Sequence, residues 1–281
     1  SELGRLSSLK IVRLVALEQL SCLPEELTQL SSLTELHLST LPLLLDLPAS
    51  FGNFRSLKKL YCANLCITEL PASFGSLAAL EELTFQQCRD FATIPPEFGQ
   101  LPRLRYFRAY ICKIASLPPE FGNLAALEEL NIREAPLAAL PAEFGNLTAL
   151  KKLTLSRVPV PYFPPEFGSL QSLEHLNLQL PALQRLPDEF GNLANLRLLC
   201  VSGSDLTELP PTIGSLEQLE QLRVKSCPKF ALIPSGLGLL TKLRSVEVFC
   251  ALPVALPPDV FDAPTLTDLT IHRHEQAPQD D

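Results

Sequence analysis

The chain has 281 residues, 46% of them hydrophobic, with 31 acidic against 23 basic side chains and a net charge of −8. That balance excludes general electrostatic attraction to nucleic acid or anionic lipid, and without a run of about 20 apolar residues the sequence offers no membrane span. The eight cysteines, at 22, 62, 66, 88, 112, 200, 227 and 250, are scattered instead of clustered, which points to reduced thiols and a cytoplasmic location.

An apolar residue followed by proline recurs at Leu23, Leu47, Leu70, Ile94, Leu117, Leu140, Phe163, Leu186, Leu209, Ile233 and Leu256, always 23 or 24 residues apart. A period of this length means stacked units that contact only their neighbours, hence one elongated array instead of a single compact core. The opening "SELGRLSSLK" holds no targeting signal; it lacks Met and starts partway through a repeat, as expected of a fragment. In chain order, the pattern predicts short strands at Ile11–Leu14, Glu35–Leu38, Lys59–Cys62, Glu82–Phe85, Tyr106–Ala109, Glu129–Ile132, Lys152–Leu155, His175–Leu178, Leu198–Val201, Gln221–Val224, Ser245–Val248 and Asp268–Ile271. At about 4.8 Å per parallel strand they would build an arc of roughly 50 Å.

The unit at 127–149 shows why. Leu130 and Ile132 alternate with Glu129, Asn131 and Arg133, the period-two signature of a strand buried on one face. Pro141 then ends strand pairing. "PAEFGNL" is too short and too marked by Pro and Gly for an α-helix, so a single helical or 3₁₀ turn is predicted, anchored by Phe144 and Leu147. Gly145 is assigned the freedom to turn the backbone without a Cβ clash.

The spelling L-x-x-L-x-L, followed by "LPPEFGNLAALEEL" (117–130), "LPAEFGNLTALKKL" (140–153) and "LPDEFGNLANLRLL" (186–199), resembles the leucine-rich repeat over about residues 3–271. The resemblance implies an α/β solenoid, a horseshoe with a concave parallel β-sheet and short 3₁₀ or helical turns on the convex side. Residues 1–271 form the repeat domain, about eleven full repeats plus a partial N-terminal unit, and 272–281 a polar tail. The 23–24-residue LPxxFGNLxxL form is similar to plant intracellular resistance proteins, Ras-associated scaffold repeats and type III effectors of plant pathogens. The asparagine usual at unit position 9 is replaced by residues such as Leu41, Leu65, Cys88, Cys112, Ala135 and Val158, so a less regular loop is expected after each strand.

Sequence freedom then concentrates on the outward strand positions, where nine basic residues face six acidic ones, a mildly basic groove. Tyr61, Tyr106 and Tyr110, three of the four tyrosines, map there, and Tyr106, Arg108 and Tyr110 alternate along one strand. Tyr and Arg dominate interface hot spots. With Ile111, Arg133, Glu134, Lys152 and Arg157 they form the expected partner-binding patch. Leu198, Cys200 and Phe249 form a second, apolar candidate.

Chemical sites are not expected. His272 and His274 lack further metal ligands nearby, Cys62 and Cys66 read as packed small hydrophobes, "NLT" at 146–148 reads as repeated spelling, and no phosphate loop or catalytic constellation is present. No cofactor and no enzymatic activity are expected. The resemblance implies a non-catalytic module that binds a partner protein on its concave face, in a bacterial effector acting in the host cytosol or a plant-type immune protein. Alternatives are the target-selecting domain of a ubiquitin-ligase effector, a cytosolic signalling scaffold of the Ras-associated type, and a solenoid that self-associates end to end instead of acting as a monomer.

Overall fold

In a computed structural model the described residues are 6, 8–251 and 253–273. They divide into two compact units, Ser1–Leu137 and Ala138–Asp281. The first contains β1 (Ile11–Val15), β2 (Glu35–Leu41), β3 (Lys59–Leu65), β4 (Glu82–Gln86), β5 (Tyr106–Tyr110) and β6 (Glu129–Arg133). The second contains β7 (Lys152–Ser156), β8 (His175–Gln179), β9 (Leu198–Ser202), β10 (Gln221–Lys225), β11 (Ser245–Cys250) and β12 (Asp268–Arg273). Every strand begins at the residue that the repeat predicts and runs at least one residue further. Within each unit the strands pair in parallel, in chain order and without slippage: Glu82 lies opposite Tyr106 and Tyr106 opposite Glu129, as His175 lies opposite Leu198 and Leu198 opposite Gln221.

The return segment of each coil is a 3₁₀ turn, not an α-helix. In the coil at 117–130, Pro118 sits at φ −67° and ψ 153° before the turn Pro119–Asn123. Its carbonyl accepts from the Phe121 N–H at 2.9 Å, and the Leu127 N–H reaches the Leu124 carbonyl at 3.0 Å. The chain then enters β6 with the N–H groups of Glu128 and Glu129 both donating to the Arg105 carbonyl. Proline supplies the extended approach and loses no hydrogen bond by lacking an N–H there.

The core is closed mostly by leucines under the strands and, in most coils, by a phenylalanine under the 3₁₀ turn, whose place is taken by Leu27, Ile213, Leu237 and Val260 in the others. Phe51, Phe74, Phe98 and Phe121 are fully buried in the first unit. Consecutive rings stack nearly parallel, Phe74 on Phe98 at 6.1 Å and Phe98 on Phe121 at 5.9 Å between centroids. In the second unit Phe144, Phe167 and Phe190 repeat the column. Phe144 and Leu147 are both buried, as expected of anchors.

The glycines of the "FG" pairs act differently from the expectation. Gly145 does not carry a positive φ; instead, a Cβ on it would lie 2.2 Å from the Glu166 carbonyl oxygen of the next coil. Glycine is required there because two backbones touch, not because the chain turns. The same approach recurs at Gly75, Gly99 and Gly168.

The backbone at the end of most strands is also more regular than expected. Ala16, Thr40, Asn64, Gln87, Ile111 and Glu134 in the first unit, and Arg157, Gly203 and Ser226 in the second, adopt left-handed φ between 50° and 57°. The N–H of this residue commonly donates to the neighbouring strand, as from Gln87 to the Tyr110 carbonyl at 2.8 Å. At position 9 several thiols point at backbone carbonyls: Cys88 at those of Cys62 and Gln86, Cys112 at that of Tyr110, Cys227 at that of Lys225. These weak donors take up part of the role of the absent asparagine. No described residue leaves a buried side-chain N or O without a partner.

Candidate functional site

On β5, Phe107 and Ala109 point into the core while Tyr106, Arg108 and Tyr110 alternate onto the solvent face of the sheet, each half-buried. The two rings do not stand free. The Arg105 guanidinium lies 5.3 Å and that of Arg108 5.6 Å from the Tyr106 ring centroid, and Arg133 lies 5.6 Å from that of Tyr110. These are cation–π distances. They hold long side chains in place and lower the entropy lost when a surface orders on binding.

The charges are mostly matched inside the sheet. Arg108 directs both Nε and Nη2 at one oxygen of Glu129, at 3.1 and 2.9 Å, and Arg105 Nε donates to Glu128 at 2.7 Å. The Glu128 carboxylate holds the Arg105 guanidinium above its ordinary pKa. Arg13 pairs with Glu35 and Lys59 with Glu82. In the second unit Arg223 and Lys225 share Glu247, whose carboxyl they hold below its usual range, the Lys225 hydrogen bond contributing most. Within the groove, parallel register sets many of the opposite signs side by side, and the fields of these pairs cancel at short range.

Ile111 follows β5 in the left-handed region at φ 57°, and its N–H donates to the Arg133 carbonyl at 2.9 Å. Arg133 ends β6 and Glu134 takes the next left-handed position at φ 52°. Tyr61 on β3 stands apart: Tyr61↔Thr84 and Thr84↔Arg108 register places β4 between it and β5. Its hydroxyl donates to Gln86 at 2.6 Å and its ring lies 5.7 Å from His37. Lys152 opens β7 and Arg157 follows it at φ 54°, both in the second unit. The first unit thus brings together Tyr106, Arg108, Tyr110, Ile111 and Arg133, and not Tyr61. Sequence reasoning missed Arg105, Glu129 as a charge partner and Asn131, which is 9% exposed and accepts a hydrogen bond from Arg133 Nε at 3.0 Å. A signal was available, since charges alternate through Lys58, Glu81, Arg105 and Glu128 just ahead of successive strands, with Lys58 and Glu81 at 3.2 Å.

The second candidate patch is less exposed than the sequence implies. Leu198, Cys200 and Phe249 are half-buried, and Phe249 is flanked by His272, stacked at 5.0 Å, and the Lys225 ammonium at 5.2 Å. His274 and the rest of the tail at 274–281 lie outside the described residues. Among the described residues no cluster of His, Cys, Asp and Glu could hold a metal, and no helix is long and apolar enough to cross a membrane. Burial pushes the thiols of Cys62 and Cys112 up, the latter to about 12, so both stay protonated at neutral pH.

A parallel strand ladder, a 3₁₀ return and a repeat-wide leucine and phenylalanine core define a class, the solenoid built of leucine-rich coils. The chain belongs to the leucine-rich repeat family: the pattern of its leucine-rich repeat region matches residues 95–181 and 167–270, more than half of the sequence. Among solved structures it is similar to a leucine-rich-repeat protein of Leptospira interrogans, with 25% identity and a TM-score of 0.59 over 95% of this chain and 86% of that one. It is similar also to the leucine-rich-repeat domain of the type III effector XopL, with 25% identity and a TM-score of 0.60 over 95% of this chain and 80% of that one. The ectodomain of the Arabidopsis thaliana receptor kinase GASSHO1/SCHENGEN3 shares the fold at 18% identity and a TM-score of 0.62, and this chain covers 38% of it. No curated protein sequence matches the chain.

Proposed function

We propose that the chain is a non-catalytic protein-recognition module that binds a partner protein on the solvent face of its sheet, as part of a bacterial effector that works in the cytosol of a plant host. The observation that carries this reading is β5, where Tyr106, Arg108 and Tyr110 stand side by side with their rings packed by arginines. Such preordered aromatic and guanidinium surface is the composition of interface hot spots. The likeness to the XopL repeat domain supports the effector reading over that of a plant immune protein. Side chains under the strands and turns are committed to the core, and the 3₁₀ side repeats nearly the same sequence through the middle coils, from Pro96–Gln100 to Asp188–Asn192, so it has little there with which to discriminate partners.

The test is capture from plant leaf lysate by the wild-type chain, by Tyr106→Ala/Arg108→Ala/Tyr110→Ala, and by a control Glu120→Ala/Asn123→Ala on the 3₁₀ side. A partner retained by wild type and control and lost by the triple variant is the expected result. A partner lost equally by both variants, or retained by both, refutes the sheet face as the binding surface.

A further inference from the structure

On the sheet face of the first unit, three of the four cations are answered by a carboxylate on the next strand: Arg13 by Glu35, Lys59 by Glu82 and Arg108 by Glu129. Arg133 is held differently. Its Nε donates to the neutral amide oxygen of Asn131, its guanidinium lies over the Tyr110 ring, and the residue is exposed. The guanidinium is thus oriented by two neutral contacts that take up Nε and one face, leaving the edge formed by Nη1 and Nη2. That edge has the spacing to grip a carboxylate through two parallel hydrogen bonds.

A second observation lies beside it. Ile111 occupies the left-handed turn that follows Tyr110, the residue opposite Arg133 in the sheet register. For a residue branched at Cβ, φ 57° costs about 1–2 kcal/mol that glycine does not incur. Equivalent turns in the same unit use Ala16, Asn64 or Gln87, with Thr40 the other branched residue. A half-exposed, strained isoleucine adjacent to an oriented arginine is unexplained by the fold, because other residues close the same turn. Strained backbone of this kind concentrates at functional positions.

We infer that Arg133 and Ile111 form a two-part anchor for an acidic segment of the partner protein, Arg133 Nη1 and Nη2 receiving an Asp or Glu carboxylate and Ile111 an adjoining apolar side chain. The inference rests on the proposed sheet-face recognition and adds the chemistry of what is recognised. A carboxylate is favoured for two reasons. With three of the four cations already paired, one charged group is what the surface leaves to satisfy. The overall net charge of −8 opposes a polyanion, whose binding depends on many phosphates met at once.

The experiment is selection of a displayed random peptide library on the whole chain, followed by binding of the selected peptides to variants. Enrichment of Asp or Glu next to an apolar residue is expected, with at least a tenfold loss of affinity in Arg133→Gln and a weaker apolar preference in Ile111→Gly. Because glycine relieves the strained φ, Ile111→Gly should melt no lower than wild type, so a loss there cannot be ascribed to unfolding. Selection of peptides without carboxylates, failure to select any, or affinities within twofold in Arg133→Gln would overturn the anchor. Peptides lost in the triple β5 variant but indifferent to Arg133→Gln overturn the anchor alone, whereas peptides indifferent to both overturn the sheet-face reading with it. A ten-nucleotide oligo-dT is the phosphate control. Binding of oligo-dT that Arg133→Gln abolishes, at affinity equal to the peptides, would identify a nucleic-acid phosphate as the anion and overturn the commitment to a protein segment.

Discussion

Replacing Gly168 with alanine places a methyl carbon 2.2 Å from the Glu189 carbonyl oxygen and 2.9 Å from its carbonyl carbon. No real Cβ tolerates less than 3.0 Å, and the obstacle is backbone, so the two coils must separate by about 1 Å or shear. Separation loosens the Phe167–Phe190 stack, whose rings lie 5.8 Å apart at 7°. Overpacking of this kind costs about 1–3 kcal/mol and more where the neighbour cannot yield, so about 3 kcal/mol is expected. Urea unfolding followed by far-UV circular dichroism, with a slope of about 3 kcal/mol/M for a chain of this size, would show a midpoint lowered by about 1 M. The comparison is Gly203→Ala, where φ is +55° but the nearest atom, Gln179 Cγ, is 3.8 Å away. There only the left-handed backbone is charged against alanine, about 1 kcal/mol, or about 0.3 M. Equal shifts, or a larger shift for Gly203→Ala, would refute the close-approach account and restore the reading in which the repeated glycines merely turn the chain.

Other expectations can be checked by similar means. Phe98→Ala removes a ring packed against Phe74, Phe107 and Phe121 and should cost about 3–5 kcal/mol, read from the same midpoint; a loss under about 1 kcal/mol would mean that the ring column contributes little. Ser226→Gly relieves a left-handed φ of 53° at an exposed position and should raise stability by up to about 1 kcal/mol, or the midpoint by about 0.3 M, whereas a fall would show that serine is not strained there. For the buried thiols, burial raises the folded pKa, to about 12 for Cys112 and about 11 for Cys250, from an ordinary value near 9. Below pH 9 both states are protonated and the contribution to stability is complete. Between pH 9 and 12 the unfolded chain loses protons that the folded core keeps, so stability falls by at most about 1.4 kcal/mol per pH unit per thiol. Mass spectrometry after brief alkylation at pH 8 should find Cys22, which is exposed, modified first, and Cys62, Cys88, Cys112, Cys227 and Cys250 modified only after denaturant; rapid native labelling of Cys112 would contradict its burial.

Much of the candidate surface was legible before the fold was known. Tyr106, Arg108 and Tyr110 reach the sheet face by period-two alternation alone, since Phe107 and Ala109 must face inward. What they meet there was not legible. That Arg108 is neutralised by Glu129 while Arg133 leans on the Asn131 amide and the Tyr110 ring depends on which side chains meet on the face, and such distances near 3 Å are set by rotamers and register. Tyr61 shows where the pattern stops: a similar position within its unit leaves it separated from β5 by β4, its hydroxyl on Gln86, which pairs with Tyr110.

By itself the sequence determined the repeat, the first residue of every strand and the identity of the buried side chains, because a period of 23 or 24 residues puts the same physical demand on the same position in each coil. Those demands are local: alternation exposes one face, proline stops pairing, and an apolar residue three places on anchors the turn. Only tertiary structure decided the role of the glycines, the left-handed turns after the strands, the thiols pointing at carbonyls and the cancellation of charge on the sheet. The glycine approaches and the charge pairs are contacts between coils about 20 residues or more apart in the chain, whereas the turns and most of the thiol contacts are local; in all of them the outcome turns on geometry that no pattern of residue types specifies.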